Sequence, residues 1–137
     1  MDGRAEKAAE LKRKGKCNCA QAIACTYCDL AGMDEQTLSY IAQAFGFGMG
    51  TLEGTCGSII GAGIALGLHN KDRNKTVRDM RAIMTEFKAR NGSVTCKTLK
   101  GTETGVVLRE CPDCVKDAAE MLERILADDE TASDGQT

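Results

Sequence analysis

Apolar residues recur at intervals of three and four along most of this chain, and runs that alternate apolar with polar residues are nearly absent. This spacing places apolar side chains on one face of an α-helix and does not suit a half-buried β-strand. The 137 residues suffice for one compact domain but not for a two-domain enzyme. The sequence therefore predicts an all-α, single compact domain of about five to six helices over residues 1–127.

Capping residues and glycines predict the helix boundaries. Asn18 and Asp34 are good N-caps, Gly32 suits a left-handed C-cap, and Pro112 suits a first helical position. The acidic tail over residues 128–137 lacks large apolar residues and is expected to be disordered. The predicted helices cover about residues 4–14, from Asn18 to about Ala31, from Asp34 onward, from Thr55 to Leu68, 73–90 and from Pro112 to Leu126, with a short turn over 94–100.

Glycine is concentrated between Phe45 and Leu68. So many residues without Cβ make a regular helix costly in the first half, which is expected to be a glycine-rich loop. The second half can be helical, and its glycines, spaced by four, let a neighbouring backbone approach closely. Neither GxxxxGK[ST] nor GxGxxG is matched, so a phosphate-binding loop is not indicated.

Charge and hydropathy limit the expected partners. The chain has eighteen Lys and Arg and twenty Asp and Glu, a near-neutral balance that disfavours nucleic acid as a partner. The most apolar stretch, from Ser58 to Leu68, is too short to span a membrane, and the charged N-terminus does not resemble a signal peptide. We therefore expect a cytoplasmic protein without membrane or nucleic-acid partners. Its expected partner is a redox protein that the sequence does not identify. The sequence also leaves open whether the chain forms a homo-oligomer.

Eight cysteines accompany a single histidine. In the cytoplasm, where thiols are kept reduced, such a chain more often binds metal or exchanges electrons than carries structural disulfides. With one histidine, neither a Ser/His/Asp arrangement nor paired catalytic carboxylates can be identified, so whether the protein is an enzyme is left open.

Helix phase and capping select Cys19, Cys56, Cys96 and Cys111 as inward-facing cysteines at the starts of predicted helices. Free backbone N–H groups at helix N-termini stabilise thiolates. Several such ends in one place would favour an anionic iron–sulfur cluster, and the same field would assist two dithiols poised for disulfide exchange.

Two C-x2-C pairs are also present, Cys25/Cys28 and Cys111/Cys114. They lie too far apart in sequence for a zinc ribbon, and neither is followed by histidine, which excludes c-type haem attachment. Cys25 and Cys28 are expected to face away from the inward set, as a potential accessory redox pair. Cys114 is expected to be rotated off the buried line of its helix.

Two further side chains and one cysteine are minor candidates. Glu53 is either a solvated loop residue or a proton donor and ligand beside Cys56. His69 is either a helix C-terminal cap or a ligand in a Cys3His set. Cys17 is treated as incidental.

Four ordered segments resemble the redox-active family known by its C_GCAxxG_C_C signature, a resemblance that covers about residues 11–127. The resemblance implies that Cys19, Cys56, Cys96 and Cys111 are the signature cysteines, with a redox role and iron–sulfur or other metal binding. Ser58 stands where the family's CGAxxG motif has alanine. The segments are Gly15-Lys16-Cys17-Asn18-Cys19-Ala20-Gln21-Ala22, Thr55-Cys56-Gly57-Ser58-Ile59-Ile60-Gly61-Ala62, Asn91-Gly92-Ser93-Val94-Thr95-Cys96-Lys97-Thr98-Leu99 and Cys111-Pro112-Asp113-Cys114-Val115.

Three functional hypotheses follow. The first is that the four cysteines bind an iron–sulfur cluster, or another metal, for electron transfer or sensing. The second is a metal-free thiol–disulfide protein in which the same four form two reversible pairs. The third is a structural zinc protein or cofactor-free interaction module that uses the glycine-rich loop as its partner surface.

Overall fold

Short polar residues and glycines set the ends of the helices in the computed structural model, which describes the backbone of residues 3–135 and the side chains of residues 3–130. The described chain is 75% helical and contains no strand, which confirms the predicted all-α class. Six of its eight helices have seven or more residues. The helices are α1 (Arg4–Arg13), α2 (Cys19–Thr26), α3 (Cys28–Ala31), α4 (Glu35–Ala42), α5 (Gly57–Asn70), α6 (Arg73–Asn91), α7 (Cys96–Lys100) and α8 (Cys111–Gly135).

The predicted caps are present. Asn18 accepts a hydrogen bond from the backbone N–H of Gln21 at 2.8 Å, and the Gln21 side chain accepts one from the backbone N–H of Asn18 at 3.0 Å. This capping box fixes the first turn of α2. Asp34 caps α4 through the N–H of Thr37, and Gly32 ends α3 in the left-handed conformation.

Helix α5 lies at the centre of the fold, with α2, α6 and α8 packed around it. Its Ile59 and Leu66 belong to the main apolar core, together with Phe87 of α6 and Leu122 of α8. A Cβ at Gly61 would lie 2.6 Å from the carbonyl oxygen of Ala20, so glycine permits the close approach of α2.

The structure differs from the sequence prediction at Tyr27, where one expected helix is divided into α2 and α3. The backbone at Tyr27 has φ −108° and ψ 22°, outside the helical region. The ring is fully buried, and its hydroxyl donates a hydrogen bond to Glu123 of α8. The helix is therefore interrupted at the residue whose side chain is buried and bonded to α8.

The apolar spacing of the sequence also predicts that Ile41 and Val77 face inward, and the structure contradicts this. Ile41 of α4 is 41% exposed and Val77 of α6 is 46% exposed, because each lies at the edge of its helix's apolar stripe.

The glycine-rich first half between α4 and α5 is irregular, as predicted. A 3-10 turn over Gln43–Phe45 is followed by a wide turn over Gly48–Leu52. Phe47, Met49 and Leu52 have positive φ within this segment, a conformation uncommon for residues with a Cβ. The later loop over residues 101–110 contains no strand, and Val106, Val107 and Leu108 are exposed.

Helix α8 continues to Gly135, beyond the domain boundary expected at residue 127. Asp129 forms an ion pair with Lys75 at 2.9 Å. Residues 136–137 lie outside the described part, and the disorder expected for residues 128–137 stays a prediction. Within the described residues, no helix is both long enough and apolar enough to cross a lipid bilayer.

Candidate functional site

Five cysteine sulfurs surround one small cavity, which we call the thiol chamber. The five are the four inward candidates from the sequence and Cys114. The free volume is about 10 Å³, roughly the space for one water molecule. The lining residues are Lys12, Cys19, Phe47, Cys56, Gly57, Cys96, Leu99, Lys100, Arg109, Cys111 and Cys114.

Four of the chamber cysteines stand at helix starts. Cys19, Cys96 and Cys111 are the first residues of α2, α7 and α8, and Cys56 is the N-cap of α5. Helix N-termini present backbone N–H groups and the positive ends of helix dipoles. The fold therefore brings several thiolate-stabilising ends to one place.

Backbone pairing holds Cys56 next to Cys96. The residues preceding them, Thr55 and Thr95, form an isolated antiparallel bridge. The N–H of Cys56 donates to the Val94 carbonyl at 2.7 Å, and the N–H of Cys96 donates to the Gly54 carbonyl at 3.0 Å. These bonds join the segments leading into α5 and α7, which are distant in sequence.

Two glycines make room for the sulfurs. A Cβ at Gly57 would lie 2.7 Å from the Phe45 carbonyl oxygen and 3.3 Å from the Cβ of Cys19. A Cβ at Gly48 would lie 2.8 Å from the Cβ of Cys96. Larger residues at either position would displace the cysteines from the chamber.

Cys19 and Cys111 form one sulfur pair. A hydrogen bond from the Cys19 thiol stabilises the Cys111 thiolate, and with Lys100 and Lys12 nearby the pKa of Cys111 is lowered to about 6. The same bond, together with burial, raises the pKa of Cys19. Cys111 is half-buried whereas Cys19 is buried, so the thiolate is the member of the pair that solvent reaches.

Cys56 and Cys114 form a second pair of the same kind. The Cys114 Sγ donates to the Arg109 carbonyl at 3.9 Å. The Cys114 thiol, the Ser58 side chain and backbone N–H groups at the start of α5 lie beside the Cys56 sulfur. Together they lower the pKa of Cys56 to about 7. The interaction with Cys56, with burial, raises the pKa of Cys114. Both cysteines are buried, so this pair lies behind the first.

Cys96 is held in the chamber by its backbone. It is 7% exposed, and burial raises the pKa of its thiol. The charge of a Cys56 thiolate acts in the same direction. Cys96 is thus a protonated thiol beside the two pairs.

Three cationic side chains line the chamber. Arg109 forms an ion pair with buried Asp117, to which it donates hydrogen bonds of 3.0 and 3.1 Å. Lys12 and Lys100 instead lie over the ring of Phe47, with ammonium groups 4.7 and 5.4 Å from its centroid. The chamber therefore combines ionisable sulfurs with positive charge at its edge.

The remaining candidates lie elsewhere. Cys25 and Cys28 are half-buried and absent from the chamber lining, and burial raises the pKa of Cys25 to about 11. Glu53 is exposed in the loop before α5. His69 lies in the last turn of α5, outside the chamber lining, with its Nδ1 3.1 Å from the Leu30 carbonyl oxygen of α3. Cys17 is half-buried and packs against the main core.

Cys114 is the chamber residue whose position the sequence prediction had wrong. It is 2% exposed and lies one turn after Cys111. Residues at i and i+3 share a helix face, so Cys111 and Cys114 at the start of α8 can both face the chamber. The C-x2-C spacing at the start of a predicted helix is the sequence feature that could have predicted this position of Cys114.

The potential metal donors of the chamber are its cysteine sulfurs. Across residues 3–130, no three His, Cys, Asp or Glu side chains are placed to hold a single metal ion. The donors are nevertheless all thiols and are arranged in pairs. Two-iron clusters accept four cysteine ligands, so this donor chemistry fits such a cluster better than a mononuclear site.

Comparison with known proteins identifies the family. The model described as "Putative redox-active protein (C_GCAxxG_C_C)" matches residues 17–125, a span that contains every chamber cysteine. Searches of the curated proteins and of the solved structures found no match. The matched span covers most of the chain, and the chain belongs to the C_GCAxxG_C_C family of redox-active proteins.

Proposed function

We propose that the thiol chamber is a two-electron redox centre that works by thiol–disulfide exchange through Cys19/Cys111 and Cys56/Cys114. The observation that carries this proposal is the pairing itself. In each pair, a sulfur with a lowered pKa lies beside a thiol with a raised pKa, and all four line the same chamber. A nucleophilic thiolate beside a resolving thiol is the arrangement that disulfide exchange requires.

Cys111 begins the reaction because it is the least buried of the chamber cysteines. Its thiolate attacks one sulfur of a disulfide on another molecule, whose S–S bond breaks and whose first thiolate leaves with a solvent proton. Cys19 then loses its proton and attacks the Cys111 sulfur of the mixed disulfide. A Cys19–Cys111 disulfide forms, the second thiolate leaves and takes up a proton, and one external disulfide has been reduced to two thiols.

The buried pair extends the capacity of the site. The Cys56 thiolate attacks the Cys19–Cys111 disulfide, and Cys114 then resolves the mixed disulfide. A Cys56–Cys114 disulfide is formed and the outer dithiol is restored, so two electrons move from the inner dithiol to the outer pair without exposing the inner sulfurs. Cys96 serves as a protonated neighbour and stays a thiol. A reducing compartment such as the cytoplasm would keep this store in its dithiol form.

An iron–sulfur cluster is the second candidate. The all-thiol donor set and the positive charge of Lys12 and Lys100 favour it, because a cluster bound by four thiolates is anionic. Cys19, Cys111, Cys56 and Cys114 would hold the cluster, which would supply one-electron transfer when bound. This set has Cys114 in place of Cys96, which the sequence predicts as a ligand with Cys19, Cys56 and Cys111. A structural zinc site ranks below both, since the described side chains offer no three-ligand group.

Anaerobic purification separates these candidates. We expect a protein without iron and acid-labile sulfide that loses four thiols on titration with an oxidised dithiol reagent. In the Cys111→Ser variant the loss should disappear or slow strongly, whereas Cys25→Ser should leave it unchanged. Stoichiometric iron and sulfide that shield the same cysteines from titration would replace the exchange proposal with the cluster.

A further inference from the structure

Two lysines from different helices meet at the edge of the thiol chamber. Half-buried Lys12 lies in the last turn of α1, and Lys100 is the last residue of α7, yet both ammonium groups lie over the same Phe47 ring. Phe47 lines the chamber and is 51% exposed, so the lysines stand where the chamber meets solvent. We call Lys12, Lys100 and Phe47 the rim.

Neither lysine makes an ion pair with a carboxylate of residues 3–130. Their neighbours differ in this respect. Arg109, also in the lining, is neutralised by Asp117, and Lys97 on α7 pairs with Glu103 at 3.3 Å. The positive charge at the rim is thus unmatched by the protein's own acidic side chains.

One thiolate does not balance two ammonium groups. Cys111 is the half-buried sulfur that both lysines face, and its negative charge offsets one of them. The thiolate of Cys56 lies deeper and is stabilised by Cys114, Ser58 and backbone N–H groups. Lys12 and Lys100 therefore keep ammonium groups without a carboxylate partner among residues 3–130 at the rim, and these can attract a second anion.

The chamber itself is too small for a substrate. With about 10 Å³ of free volume, it admits neither a peptide nor a small disulfide. The reacting disulfide must meet Cys111 at the opening, so the groups beside its sulfurs lie against the rim.

We propose that the disulfide reduced at Cys111 is anionic, with a carboxylate beside its sulfurs that Lys12 and Lys100 bind, whether it is a small molecule or part of an acidic polypeptide. This inference rests on the proposed exchange function and names its substrate class. Binding by the rim holds the disulfide over Cys111 while the sulfur chemistry proceeds.

The test compares three disulfides of similar size and different charge. They are 3,3′-dithiodipropionate, which is anionic, bis(2-hydroxyethyl) disulfide, which is neutral, and cystamine, which is cationic. The rate of mixed-disulfide formation at Cys111 is measured for each by mass spectrometry, at one pH and low ionic strength. Electrostatic attraction predicts that the anionic probe reacts about tenfold faster than the neutral one, the cationic probe most slowly, and that concentrated salt removes the order.

The decisive quantity is the ratio of anionic to neutral rates in a Lys12→Gln/Lys100→Gln double variant. Losing the lysines also weakens the Cys111 thiolate, but that change slows every probe equally and cancels in the ratio. The ratio should fall to about one, whereas Lys97→Gln, which removes a paired lysine from the same helix, should preserve it.

A fourth probe distinguishes the source of the anion. It is a peptide disulfide with glutamates beside its cysteines. A larger preference for this peptide than for dithiodipropionate assigns the rim to acidic polypeptides, and the reverse assigns it to small molecules. A ratio near one in the native protein, or one unchanged in the double variant, overturns the anionic substrate while leaving the exchange function intact. If no probe reacts at Cys111, the exchange function itself fails.

Discussion

The sulfur of Cys56 lies 2.9 Å from the hydroxyl oxygen of Ser58. Ser58 is fully buried in the first turn of α5. The hydroxyl donates to the Cys56 thiolate and is one cause of its lowered pKa. Ser58 thus tunes the acidity of Cys56 in the inner sulfur pair.

Replacing Ser58 with alanine should raise the pKa of Cys56 and reduce its thiolate fraction at pH 7. The free energy of unfolding should change by no more than about 1 kcal/mol, because one hydrogen bond is lost and alanine fits the same space. The measurement is a difference titration of thiolate ultraviolet absorbance against the native protein. Ser39→Ala, which removes a hydroxyl bonded to Gln21 outside the chamber, should leave the pKa of Cys56 unchanged.

The alkylation rate of Cys111 should report its lowered pKa. The thiolate is the reactive form, so its rate with iodoacetamide should rise with pH to a midpoint near pH 6 and remain level above it. An ordinary thiol would give a midpoint near pH 8.5. At pH 6, peptide mass spectrometry should find Cys111 labelled at least about tenfold faster than Cys25, whose pKa is raised to about 11.

The Lys100→Gln variant provides the control for that profile. Lys100 lowers the pKa of Cys111 by its charge and by a side-chain hydrogen bond, so its loss should move the midpoint to higher pH. A profile that stays at its native position would contradict the electrostatic account of the thiolate.

Helix spacing and capping residues predict most of the fold, but they do not predict the inner sulfur pair of Cys56 and Cys114. The start of α2 follows from Asn18 and Gln21, whose capping box is local. The pairing of Cys56 with Cys114 depends on how α5 and α8 pack, and helix phase alone had turned Cys114 outward. The bridge between Thr55 and Thr95 is likewise a contact between distant segments that no local pattern encodes.

Gly61→Ala should destabilise the fold by about 1–3 kcal/mol. The added Cβ would lie 2.6 Å from the Ala20 carbonyl oxygen and 3.0 Å from the Cβ of Ile23, so α2 and α5 would have to separate. Gly67→Ala in the same helix meets no atom within 4 Å and should stabilise the protein by up to about 1 kcal/mol. Urea denaturation of both variants measures the difference, and equal effects would show that the close contact at Gly61 is not needed.

Asp117→Asn should lower the free energy of unfolding by about 2 kcal/mol. Asp117 is 3% exposed and accepts hydrogen bonds from Arg90, Asn91 and Arg109. The side-chain N–H group of asparagine would point toward the Arg109 guanidinium, which is also a donor, so the bond that holds the loop before α8 would be lost. Glu120→Gln, which weakens an exposed pair with Arg90, should cost less than about 1 kcal/mol in the same denaturation experiment.

Disulfide mapping tests the paired-thiol centre most directly. The reduced protein is oxidised stepwise, its remaining thiols are blocked, and the disulfide-linked peptides are identified by mass spectrometry. The account predicts Cys19–Cys111 and Cys56–Cys114 disulfides, with Cys96 recovered as a free thiol. Disulfides confined to Cys17, Cys25 and Cys28 while the chamber thiols stay reduced would contradict it.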